Sequence, residues 1–152
     1  MKKRFLSLAL LGLLTLTACR GAPKAGDAFD GAADDYEGVT MAVVEGTAAP
    51  GGVTVEVLNT TEAEICGGND HDFGLQMEQD GRWYWLEPRG ESVNTAEAYV
   101  FSTDEPRQLS LTWSSGYGDL KPGRYRVAKW FFFFFVPGDT TDFLLTAEFA
   151  LE

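Results

Sequence analysis

From Val39 onward, apolar and polar side chains alternate with a period of two, the spacing of strands that bury one face. Val39, Met41 and Val43 alternate with Thr40, Ala42 and Val44, and Val53, Val55 and Val57 alternate with Thr54 and Glu56. Asn59-Thr60-Thr61 ends that second run. Phe73, Leu75 and Met77 then alternate with Gly74, Gln76 and Glu78, and Gln79-Asp80-Gly81-Arg82 predicts a hairpin turn. Trp83 to Leu86 forms the returning strand, closed by Glu87-Pro88-Arg89-Gly90. Val93 to Ser102 offers one short edge strand near Tyr99. Leu109, Leu111 and Trp113 alternate with Ser110, Thr112 and Ser114. Arg124 to Val136 is the longest run, and Phe143, Leu145, Ala147, Phe149 and Leu151 close the chain. No helical period competes with this pattern. The expectation is an all-β antiparallel sandwich of seven or eight short strands over residues 39–152.

The alternation is missing before Val39. Residues 20–38 are rich in Gly, Ala and Asp, as in Gly31-Ala32-Ala33-Asp34-Asp35, and predict a flexible acidic tether. A coil of that length spans about 24 Å on average. Ahead of it stand Lys2, Lys3 and Arg4, then an apolar run from Phe5 to Leu16. Such a run is a signal sequence, because a spanning helix needs about 20 apolar residues. It ends in Leu16-Thr17-Ala18-Cys19, which resembles the lipobox of bacterial lipoproteins. The Cys19 thiol would take a thioether-linked diacylglycerol, and the small residues before it admit the signal peptidase. Residues 1–18 are then removed, and residues 19–38 carry the lipid and the tether. Two or three acyl chains hold a protein on a membrane far more firmly than one. The implied location is extracytoplasmic and membrane-anchored, at the cell surface or facing the periplasm.

Charge narrows the partners. The formal net charge is −11. Loss of Lys2, Lys3 and Arg4 leaves 9 basic against 23 acidic side chains, a net −14. A body this acidic is repelled by nucleic acid and by bare anionic headgroups. The membrane therefore enters as a partner through the lipid on Cys19.

Tyr117-Gly-Asp-Leu-Lys-Pro-Gly-Arg-Tyr125 enters the longest run. With Leu120, Pro122 and Gly123 making the turn, it resembles the tyrosine corner of sandwich domains, in which a Tyr hydroxyl bonds to backbone upstream. Tyr125 is the residue in that place, with a structural role. Val53-Thr-Val-Glu-Val-Leu-Asn59, Phe73-Gly-Leu-Gln-Met-Glu78, Asp80-Gly-Arg-Trp-Tyr84, Leu109-Ser-Leu-Thr-Trp113 and Tyr117 to Val127 follow one another in order. Together they resemble the small bacterial immunoglobulin-like domain common in lipoproteins and surface proteins of Gram-positive gut bacteria. The resemblance implies an immunoglobulin-like sandwich outside the cytoplasm. It implies no catalytic residue, cofactor or ligand. Cys66 and the Phe run depart from its pattern.

Candidate chemistry is sparse. His71 is the only histidine, and Cys66 stands five positions before it, so the two are the one pair available to an envelope enzyme. No third orienting residue accompanies them. With Cys19 lipidated, Cys66 has no internal partner, which points to burial, an anaerobic habitat or an intermolecular bond. Asn69, Asp70 and Asp72, or Asp139 and Asp142, offer oxygen ligands to Ca²⁺ without EF-hand spacing, and such residues also make ordinary turns. Zinc lacks four ligands here, and there is no phosphate loop or dinucleotide fingerprint. No cofactor is expected.

Trp130-Phe-Phe-Phe-Phe-Phe-Val136 is the unusual segment. If Tyr125 and Val127 face the core, alternation sends Phe131, Phe133 and Phe135 inward and Trp130, Phe132 and Phe134 outward. Three adjacent outward aromatics make an interaction patch, unless the chain itself covers them. The leading expectation is a lipid-anchored binding or structural module without catalysis, meeting another envelope protein through Trp130, Phe132 and Phe134. A carbohydrate or peptidoglycan binder, stacking sugars on Trp83, Trp85 or Trp130, is the alternative from another class.

Overall fold

The computed structural model describes residues 23–90, 97–133 and 141–152. Among these residues there are ten strands and no helix. They are β1 (Lys24–Ala28), β2 (Val39–Val43), β3 (Gly52–Asn59), β4 (Ile65–Gly68), β5 (Gly74–Gln79), β6 (Arg82–Glu87), β7 (Ala98–Phe101), β8 (Arg107–Thr112), β9 (Gly123–Phe133) and β10 (Phe143–Leu151). Every named pairing is antiparallel. The small sheet runs β2-β3-β8, and the other seven strands form the large sheet.

The large sheet is organised on β9. Along one edge, β9 pairs with β10 from Gly123 to Phe131. Its other edge is shared by two strands in succession: β5 pairs with Tyr125 to Ala128, and β4 pairs with Phe131 to Phe133. β5 continues outward through β6 to β1, whereas β4 continues to β7. The sheet therefore has two wings on one side of a common strand.

Alternation builds the core. Val53, Val55 and Val57 of β3 are buried while Thr54, Glu56 and Leu58 between them are half-buried, and Leu109 and Leu111 of β8 join them. Across the sandwich they meet Leu75, Val127, Phe131, Leu145, Ala147 and Phe149. Trp113 closes one end, stacked on Phe149 at 5.6 Å, its indole N–H donating to the Pro50 carbonyl at 2.7 Å. Asp80 and Gly81, with φ of 52° and 77°, form the two-residue turn between β5 and β6, a conformation that favours Gly at the second position.

Two sequence expectations change. Ten strands replace seven or eight, because β1 and β4 carry no alternating apolar signature. β4 reads Ile-Cys-Gly-Gly, and its glycine has a packing cause: a Cβ on Gly67 would stand 2.9 Å from the Phe131 ring. The tether expected over residues 19–38 is largely structured. Lys24 lies opposite Glu87 and Ala28 opposite Tyr84 in the ladder, and Asp34 is bonded to β10. Backbone donors and acceptors make that edge, so a Gly- and Ala-rich stretch serves without any side-chain period. Cys19, Phe134, Phe135 and Asp139 lie outside the described residues.

Candidate functional site

The outer face of the large sheet holds the surface worth attention, and β9 explains why. Its odd-numbered side chains from Tyr125 to Phe131 face the core. Its even-numbered ones, Arg126, Ala128, Trp130 and Phe132, face away from the small sheet. Arg126 and Ala128 are nevertheless buried, whereas Trp130 is 55% exposed.

A strap formed by residues 29–34 accounts for the covered part. It leaves the end of β1 and crosses to β10. Phe29 N–H donates to the Trp83 carbonyl at 2.8 Å, and the Phe29 ring meets Trp85 edge-on at 5.8 Å. Arg126 lies beneath, its guanidinium 5.0 Å from the Phe29 ring centre and 4.4 Å from that of Trp83, while donating to Gln76 Oε1 at 2.6 Å. Burial lowers the Arg126 pKa, and the charges of Asp34 and Glu148 oppose that shift. At the far end of the strap, Asp34 N–H donates to the Leu144 carbonyl at 2.9 Å. The Asp34 carboxylate accepts from Thr146 N–H at 2.7 Å and from the Thr146 hydroxyl. Exposed ion pairs Lys24–Glu87 and Arg82–Asp30 flank β1 and the strap, and add little.

Beyond Ala128 the face is unevenly exposed: Cys66 is fully buried, whereas Trp130 stands out. Trp130 is followed by half-buried Phe132, and the ladder carries Phe132 opposite Cys66 and Cys66 opposite Val100. Val100 is 39% exposed. Among the described residues, Trp130 and Val100 are the exposed large hydrophobics, and both stand on this wing. Arg107 packs over Tyr99 at 4.1 Å and over Phe101 at 5.5 Å beside it, donating to the Val100 carbonyl at 3.1 Å.

Lys129 joins the two wings from the core side. The loop from Asn69 to Phe73 links β4 to β5 and leaves the β9 ladder between Gly67 and Gly74. The Lys129 ammonium donates to the carbonyls of Gly68 at 3.2 Å, Asn69 at 3.0 Å, and Asp72. Only 1% of its surface is exposed. Burial pushes its pKa down to about 8, against the charges of Asp72 and Asp70, which hold it up.

The model of the bacterial Ig-like domain matches residues 35–150, most of the sequence. The chain belongs to that family. No curated protein and no solved structure matches it. Membership makes this Ig-like domain a structural or binding module of the extracytoplasmic kind. β1 and the strap up to Asp34 lie ahead of the matched residues.

Within the Ig-like domain, the sequence-derived candidates separate. Tyr125 donates its hydroxyl to the Lys121 carbonyl at 2.9 Å, Leu120 is buried, Pro122 precedes the strand and Gly123 begins it. The corner thus fastens the connection from β8 into β9. Burial raises the Tyr125 pKa, and its bond to Lys121 works against this. Cys66 is on β4, fully buried, and burial pushes its thiol up with Glu64 adding to the effect. His71 is exposed on the neighbouring loop, its N–H turned to Asn69 Oδ1 at 2.9 Å. Nothing pairs the two as nucleophile and base: among the described residues, no hydrogen bond joins them. Among the same residues, no three His, Cys, Asp or Glu side chains are grouped to hold a metal.

Trp83 and Trp85 are half-buried and engaged, the first by Arg126 and the second by Phe29. Trp130 and Phe132 share the bare wing. Sequence reasoning missed Val100, the strap and Lys129. Strand parity carried a signal for Lys129, because a residue between Val127 and Phe131 faces inward with them.

Proposed function

We propose that this Ig-like domain is anchored by lipid on Cys19 outside the cytoplasm and works as a binding module without catalysis, through the surface of Trp130, Phe132 and Val100. The observation that carries the reading is the contrast on one sheet face. A built-in strap packs over Arg126, and further along β9 the same face keeps a tryptophan 55% exposed. A folded chain that covers one part of a face and leaves an apolar cluster on the next presents it for contact. Tryptophan is the residue type most enriched at the energetic centres of interfaces. The absence of catalysis rests on Cys66: a buried thiol with a raised pKa holds little thiolate and is a poor nucleophile. The anchor rests on Leu16-Thr17-Ala18-Cys19 following an apolar run.

A photo-crosslinking side chain at Phe132, with a control at Glu56 on the small sheet, tests the surface in intact cells. An adduct at Phe132 and none at Glu56 is the expected result. Equal labelling at both positions, or none at either, removes the assignment.

A further inference from the structure

The structure fixes where the chain's anchor end stands relative to the bare wing. β1 runs antiparallel to β6, β6 to β5, and β5 to β9. Following the register across, Lys24 lies opposite Glu87, and β6 and β5 carry that level to Gly74 and Ala128. Lys24 therefore sits about 14 Å from Ala128, three strand spacings away. Trp130 and Phe132 lie about 7 and about 13 Å further along β9, at that same end of the sheet. Val100, level with Phe132 through Cys66, is there too.

Cys19 precedes Lys24 by five residues. Whatever path those residues take, they reach at most about 17 Å. The 24 Å coil expected from the sequence is cut short, because β1 and the strap take up residues 24–34. If Cys19 carries lipid, the bilayer surface lies within about 17 Å of Lys24, and Trp130 and Phe132 stand about 16 and about 19 Å from Lys24 by the same spacings. The opposite end carries exposed Asp80 and Glu148, and no exposed large hydrophobic is described there.

We propose that the partner of the Trp130–Phe132–Val100 surface is the bilayer that holds the anchor, so that the domain rests on its own membrane with this wing down. The proposal builds on lipidation of Cys19. An indole with an apolar body and one N–H suits the headgroup boundary, where tryptophan is enriched. Charge decides which lipid. Glu64, Asp70 and Glu97 stand on or beside β4 and β7, and the mature chain is strongly acidic. Attraction is thus apolar, favouring zwitterionic over anionic headgroups, and added salt strengthens contact with anionic ones.

The test uses the mature lipidated protein, reconstituted into phosphatidylcholine vesicles whose acyl chains are brominated near the headgroup. Fatty-acid labelling of the parent, lost in Cys19→Ser, reports the anchor. Bromine quenching of tryptophan emission reports the contact. We expect quenching in the parent, most of it lost in Trp130→Phe, and weaker quenching when phosphatidylglycerol is mixed in. Trp130 is exposed, so the variant's unchanged thermal midpoint keeps loss of fold out of the comparison. Labelled protein that shows no quenching, or the same quenching in Trp130→Phe, overturns the membrane contact while the anchor stands. A Phe132 adduct that is a protein and contains no lipid overturns it too. An unlabelled parent removes the anchor and the proposal together.

Discussion

The two wings of the large sheet share β9 yet treat their outer faces in opposite ways. The wing of β5, β6 and β1 lies under the strap, and there even a guanidinium is buried, held by Gln76 and two aromatic rings. On the wing of β4 and β7, no such strap crosses Trp130 and Val100 among the described residues. Side-chain type does not explain the difference. Arg126 is the more polar residue and is the buried one, whereas Trp130 is apolar and exposed. Burial on this face follows where the N-terminal segment runs, and that segment lies ahead of the residues shared with the family. The comparison teaches that the strap lies ahead of the residues matched to the family, whereas Trp130 and Val100 lie within them.

Breaking the joint between the wings has the largest expected effect. Lys129→Met removes an ammonium from three carbonyls in a site closed to water, and costs about 3 kcal/mol in urea unfolding at pH 7. A pH series sharpens this. The folded-state pKa is lowered from 10.5 to about 8, so across that window the unfolded chain holds more protons than the folded one. The stability of the parent relative to Lys129→Met therefore rises from pH 8 to 10.5, by at most about 3 kcal/mol. A flat or falling difference means the lysine is not held as described. Next comes the strap. Asp34→Ala loses a carboxylate that accepts twice from Thr146 and costs about 2 kcal/mol, with faster amide exchange at Thr146 while β4 and β7 are unaffected. Smallest is Trp130→Ser on the bare wing, within about 0.5 kcal/mol of the parent by the same unfolding assay. A large cost there would show that Trp130 is packed after all.

The sandwich was legible because its central strands alternate: Val53 to Val57, Leu109 to Trp113 and Tyr125 to Phe131 each declare an inner face. The outward parity of Trp130 and Phe132 was legible for the same reason, since strand period depends on no distant partner. β1 was not, because a Lys-Ala-Gly-Asp-Ala edge is specified by the backbone of β6 and not by its own side chains. β4 was hidden by glycines, of which Gly67 has its cause in the Phe131 ring, 64 positions away. The strap shows the same limit. Asp34 reads as one acid in an acidic stretch, and only the position of Thr146 turns it into a fastening. For Cys66 the sequence leaves burial as one of three alternatives, and it is β9 and β7, on either side of its strand, that decide for it.

That fastening has a consequence for the order of events in the cell. Asp34 and Thr146 are separated by 112 residues. Synthesis runs from the N-terminus at about 5–20 residues per second, so Asp34 emerges on the order of ten seconds before its partner exists. During that interval β6 is made and can receive β1, but the strap has nothing to hold at its far end. Until then the strap is held only at its β1 end. Arrival of the last strand ends that window, and the finished protein is latched by its newest residue pair.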